Sequence, residues 1–178
     1  MHIFLDIVAT LLSTAVIASD LYARRVPNIC LISALVLSLA IILTTWIRNP
    51  AAQQIWPHFL GLLIGLIALL PFHIFGQMGA GDVKFFATLG FLLGTKALLP
   101  IWLIASLIAG AHAVMILLSR HALLQTVPGM KSAQNWFSSS ALGQRMVSAQ
   151  QGRKGLPYAA WLGVGALITV FDPELMHW

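Results

Sequence analysis

The sequence predicts an all-α polytopic membrane protein with about six transmembrane helices. Three observations predict this class. Of 178 residues, 59% are hydrophobic and 8% charged, and the mean hydropathy is +0.89; a soluble domain carries about 25% charged residues. Stretches free of Asp, Glu, Lys and Arg recur along the chain, several close to the ~20 residues that cross a hydrocarbon core of roughly 30 Å. Those stretches are continuously apolar, whereas barrel strands alternate. The same composition excludes a soluble domain, a disordered segment and a nucleic-acid-binding module. Ten bases scattered among apolar runs form no basic groove, even with a pI near 10.0.

The expected helices follow in order. Residues 7–19 form the first, extendable back to residue 3 if Asp6 lies at the interface. Pro27 ends it, because the residue before a proline disfavours the α region. Asn28 can then cap the second, 26–47. The uncharged stretch 49–81 is too long for one helix, and its strongly apolar part, 55–75, is the third. Residues 85–95 are a short fourth, 97–119 the fifth and 155–171 the sixth. Between the last two lies the one sizeable loop, 120–154, rich in Ser, Gln and Gly, with Trp136 and Phe137 in its middle. A solvated basic linker is expected there, with a partial amphipathic helix on the membrane surface as the other reading. No internal repeat or domain boundary is visible, so residues 1–178 read as one membrane-embedded domain.

Basic residues orient the bundle. Arg24, Arg25, Lys84, Arg120, Lys131, Arg145, Arg153 and Lys154 fall on one face, and only Arg48 and Lys96 on the other. The first face is therefore expected in the cytoplasm and both termini outside. Trp46, Trp56, Trp102 and Trp178 fall near the outer ends of spans, where an indole sits well. The N-terminus lacks the basic region of a cleavable signal peptide. Cys30 is the only cysteine, so no internal disulfide forms.

The five acids carry most of the functional information. Asp6, Asp172 and Glu174 fall near the termini, on the outer side. Asp20 ends the first span and Asp82 begins the fourth, so two lone carboxylates arrive at the same inner depth. An acid at a membrane boundary is costly and points to function. Two close carboxylates cannot both ionise easily, so one can take a proton from water while the other donates to a scissile carbonyl. Two structural readings stand beside this one: Asp20 paired with Arg24 at i+4, and Asp82 paired with Lys84 or capping a helix. Glycines at 79 and 81, just before Asp82, permit positive φ or close approach of another backbone. At a helix start, Asp82 also meets the positive end of the dipole, which predicts it as the more acidic partner.

No metal and no cofactor is expected. His2, His58, His73, His112, His121 and His177 show no ligand spacing. No Gly-x-Ser-x-Gly elbow or Walker-type phosphate loop occurs.

Gly79-Ala80-Gly81-Asp82-Val83-Lys84 resembles the GxGD signature of prepilin peptidases, in its Gly-x-Gly-Asp-x-Lys form. Asp20 followed by Val26-Pro27-Asn28 resembles that family's other motif, and Gly155-Leu156-Pro157-Tyr158 is similar to a feature before its last span. The resemblance covers nearly the whole chain outside 120–154. It implies an integral-membrane aspartyl endopeptidase with Asp20 and Asp82 as the catalytic pair, and with Gly79, Gly81, Lys84, Pro27 and Asn28 as motif or substrate-positioning residues. Its partners would be pilin-like precursors and membrane lipid, in a bacterial cytoplasmic membrane. Such enzymes cleave a short basic leader at the cytoplasmic face, typically after a glycine. Larger members carry an N-terminal region with a cysteine-rich loop, associated with N-methylation. This chain begins at the first peptidase span, so it resembles the short, peptidase-only type of tight-adherence pilus systems, and methyl transfer is not expected. Two other classes compete: a small proton- or cation-coupled transporter subunit using the same acids, and an assembly subunit without chemistry. Acids at the inner surface rather than at the midplane disfavour the transporter.

Overall fold

The computed structural model describes residues 2–50, 55–120 and 157–176. They form α1 (His2–Ala23), α2 (Asn28–Arg48), α3 (Trp56–Ile74), α4 (Ala80–Leu93), α5 (Thr95–Arg120) and α6 (Tyr158–Phe171), followed by a single 3₁₀ turn, Pro173–Met176. There is no strand among the described residues. Beyond Arg120, the expected loop 120–154 lies outside them.

Among the described residues there are six α-helices, as expected, and four of them have the length and apolarity to cross a membrane: Ile3–Ala23, Asn28–Arg48, Trp56–Ile74 and Thr95–Leu118. α4 and α6 have 14 residues each, or about 21 Å at ~1.5 Å per residue. Both are packed inside the bundle. In α4, every residue from Val83 to Leu92 is buried except Lys84. By contrast, α2 and α3 present Ile29, Ile32, Val36, Leu63, Ile67 and Phe75 outward. An apolar outer surface of that kind suits lipid and would be costly in water. Trp46, Trp56 and Trp102 are exposed as well.

Local chemistry sets the helix ends. α1 stops where Arg24 takes a left-handed conformation, φ 49°, and its N–H donates to the Asp20 carbonyl at 2.9 Å. This is a C-cap of the αL type, held by arginine where glycine is usual. Pro27, extended at φ −69° and ψ 119°, is the N-cap of α2 and makes no side-chain cap bond. Asn28 is thus the first helical residue rather than the cap. Gly94, at φ 82°, ends α4 and lets α5 start at once.

Small residues let the helices close on one another. Gly61 and Gly65 of α3 lie against Gly90 and Ala87 of α4, and a side-chain carbon at Gly61 would run into the Gly90 carbonyl. This is a small-xxx-small crossing of the kind that brings membrane helices into backbone contact. The Nδ1 of His58 lies 2.8 Å from the Phe91 carbonyl and ties the same two helices. α6 fits between α1 and α5 in the same way. A side-chain carbon at Gly163 would fall 2.7 Å from Ile17 Cγ1, and one at Gly165 would fall 2.7 Å from the Ile101 carbonyl oxygen.

Candidate active site

At one end of the bundle, α1 and α3 finish and α2, α4 and α6 begin. There a cavity of about 940 Å³ opens among Asp20, Arg24, Arg25, Asn28, the segment 76–81, Asp82, Lys84 and Tyr158. The two acids, Gly79, Gly81, Lys84 and Asn28 all line this cavity. Pro27 is the exception: it does not line the cavity, and its visible part is the N-cap of α2.

Asp20, in the last turn of α1, is buried. Its Oδ2 accepts the Ala160 backbone N–H at 2.9 Å, and the Arg24 charge acts on it favourably. The pairing with Arg24 foreseen from i+4 spacing is thus present as a charge interaction, alongside a second donor that the sequence does not reveal. Asp82 is the third residue of α4 rather than its N-cap. Gly79 takes the cap position, and its N–H donates to Asp82 Oδ2 at 3.2 Å. This is the returning half of a capping box. The Ala159 backbone N–H also acts on Asp82, favouring its charged form.

Both carboxylates therefore draw on the first turn of α6, where Ala159 and Ala160 follow Pro157 and Tyr158. The first N–H groups of a helix have no intrahelical partner, and here two of them meet acids. The sequence places Asp82 alone at a helix N-terminus; in the fold the N-terminus of α6 faces both acids.

Asp82 lies before the apolar run that starts at Phe85. Burial, reinforced by the neighbouring Asp20 charge, pushes its carboxyl up to about 6, against the Gly79 and Ala159 donors. The expectation that Asp82 is the more acidic partner rests on the dipole, and burial acts against it. Desolvation disfavours the charged form and outweighs it.

Gly81 supplies the close approach that its motif suggested, without positive φ. It is helical, and a side-chain carbon there would lie 3.1 Å from both Cβ and Cγ2 of Val26. The Gly-x-Gly-Asp segment is thereby seated directly on the Val-Pro-Asn segment. Gly79 is extended at φ −70°. Tyr158, whose hydroxyl is 3.0 Å from Ser106 Oγ, closes the wall beside Asp82. No three His, Cys, Asp or Glu side chains gather into a metal-binding group among the described residues.

Residues 7–114 match the family model of the type IV leader peptidases. The chain belongs to this family. No curated protein and no solved structure matches it. The family match bears out the resemblance to prepilin peptidases and spans Asp20, Val26-Pro27-Asn28 and the Gly-x-Gly-Asp-x-Lys segment. It makes the protein a leader peptidase-like membrane protein and lends no support to a transporter. α6 lies beyond the matched residues. Ala159 and Ala160 were missed from sequence because their contribution is made by backbone N–H groups. The one available signal was Pro157-Tyr158, a proline-led helix entry, noted only by resemblance.

Proposed function

We propose that the protein is an aspartyl endopeptidase of the bacterial inner membrane that removes the leader of pilin-like precursors at the cytoplasmic face, serving pilus biogenesis. The observation that carries this reading is the convergence of Asp20 and Asp82 on one cavity, with backbone donors from a single helix turn. The pair titrates as a unit and works with one proton between its two carboxyls. The ionised carboxylate takes a proton from water as the oxygen adds to the scissile carbonyl. The protonated carboxyl donates to the carbonyl oxygen. Collapse of the tetrahedral intermediate breaks the C–N bond, the leaving nitrogen takes up a proton, and the pair returns to one proton. Arg24, Arg25 and Lys84 at the rim keep the cavity polar enough to admit water and a peptide backbone. The Gly79–Gly81 segment offers a low wall against which an extended substrate can lie.

Co-expression with a pilin-like precursor tests this. Asp20→Asn and Asp82→Asn should each leave the precursor full-length while the protein stays in the membrane. Processing that survives either change would make that acid structural and remove the mechanism.

A further inference from the structure

We propose that the Ser106–Tyr158 hydrogen bond positions the acid pair by fixing the first turn of α6, whose Ala159 and Ala160 N–H groups hold Asp82 and Asp20. The inference rests on the aspartyl reading above and adds Ser106 and Tyr158, which belong neither to the acid pair nor to the Gly-x-Gly-Asp segment; Tyr158 also lies beyond the matched family region.

The N-cap of α6, Pro157, makes no side-chain cap bond, so the turn carries none of the usual polar capping that fixes a helix start. Ala159 and Ala160 are buried but bear only methyl groups. Trp161, the turn's other polar side chain, packs edge-on against His112 and its buried Nε1 has no hydrogen-bond partner among the described residues, so Tyr158 is the residue that anchors the turn by a side-chain hydrogen bond. Its hydroxyl meets Ser106 Oγ of α5 at 3.0 Å. The glycine contacts that seat α6, Gly163 on α1 and Gly165 on α5, lie about one to two turns further along the helix. They fix the body of α6 and leave its first turn to Tyr158. Ser106 does not line the cavity, so it acts on the acids only through Tyr158. Tilting or sliding that turn would lengthen the Ala160–Asp20 hydrogen bond and shift the Ala159 N–H away from Asp82 in the same movement, changing the separation of the two carboxyls.

A packing role and a positioning role separate in kinetics. The variants are Tyr158→Phe, Ser106→Ala, their combination and Ser106→Thr, assayed with a pilin-like precursor in membranes and normalised to enzyme present. Positioning predicts that each single change lowers kcat by roughly tenfold to a hundredfold, with KM within about twofold. The double variant should be no slower than the slower single, because both changes break one bond. Ser106→Thr keeps a hydroxyl and should restore most of the rate. Unchanged kcat in both singles would overturn the proposal, as would losses that multiply in the double. A crippled Tyr158→Phe beside a normal Ser106→Ala would overturn it too, and would assign the tyrosine hydroxyl to the substrate. If Tyr158→Phe is absent from the membrane, the kcat of Ser106→Thr against Ser106→Ala decides, and equal rates reject positioning; if Ser106→Ala is absent, an unchanged kcat in Tyr158→Phe rejects it. Asp20→Asn and Asp82→Asn, run in the same assay, report separately on the aspartyl reading.

Discussion

At Asp82, opposing neighbours leave a measurable outcome. Burial and the Asp20 charge raise its carboxyl, the Gly79 and Ala159 donors lower it, and the balance stands at about 6. An ordinary aspartate is ionised by then. The pair needs one proton, and that proton leaves as pH climbs through about 6, so kcat should fall there. A kcat profile from about pH 5 to pH 8 checks this; a rate that rises through the same window contradicts it. Stability carries the same sign. The folded state holds the proton more tightly than the unfolded chain, so this group's contribution is fully present below the ordinary carboxyl pKa and is lost as pH rises through about 6. Asp20 and Asp82 were legible in the sequence because a charge in an apolar chain is rare and costly. Their donors were not, since a backbone N–H has no residue signature. Gly81 was legible as a point of close approach, but its partner Val26 was not, because the spacing of one segment does not say which other segment will lie on it.

Among the helices, α3 and α4 show how small residues set distance. Gly61 meets Gly90 backbone to backbone, so any side chain at 61 must push the helices apart along their length. Gly61→Val should lower stability by at least the roughly 1–3 kcal/mol typical of overpacking, read as earlier thermal unfolding in detergent. Because α4 carries Asp82, cleavage should fall as well. An unshifted unfolding curve would mean that the two helices part without cost. The long helices were readable to within a few residues, since uncharged apolar stretches mark them directly. α4 was expected from residue 85 and begins at Ala80. A search that stops at charges cannot see that Asp82 and Lys84 belong to the first helical turn, where Gly79 as N-cap and the returning bond from Gly79 N–H to Asp82 make an acid favourable. The Gly-x-x-x-Gly spacing of Gly61 and Gly65 was open to reading and went unread.

As a whole, the molecule places its two 14-residue helices inside and its long apolar helices around them. An inner helix of about 21 Å falls short of a hydrocarbon core of roughly 30 Å, which predicts that the cavity at Asp82 forms a recess open to water rather than to lipid. Asymmetry of Lys and Arg predicts that this recess faces the cytoplasm. In a variant with Cys30 replaced by Ser, a cysteine at Gln77 should react only with reagent on the cytoplasmic side, and one at Arg48 only from outside. Reversed labelling would invert the topology and remove the cytoplasmic assignment of the cavity. The position of α6 also bears on how the enzyme is made. Asp20 and Asp82 leave the ribosome early, but their common donors arrive with Ala159 and Ala160, after the 39 residues from Arg120 to Tyr158. At about 5–20 residues per second that interval is roughly 2–8 s. Throughout it, both acids are made and the clasp between them is missing, so on the aspartyl reading a chain stalled before α6 is expected to cleave no precursor: the last helix to be made would switch the protease on.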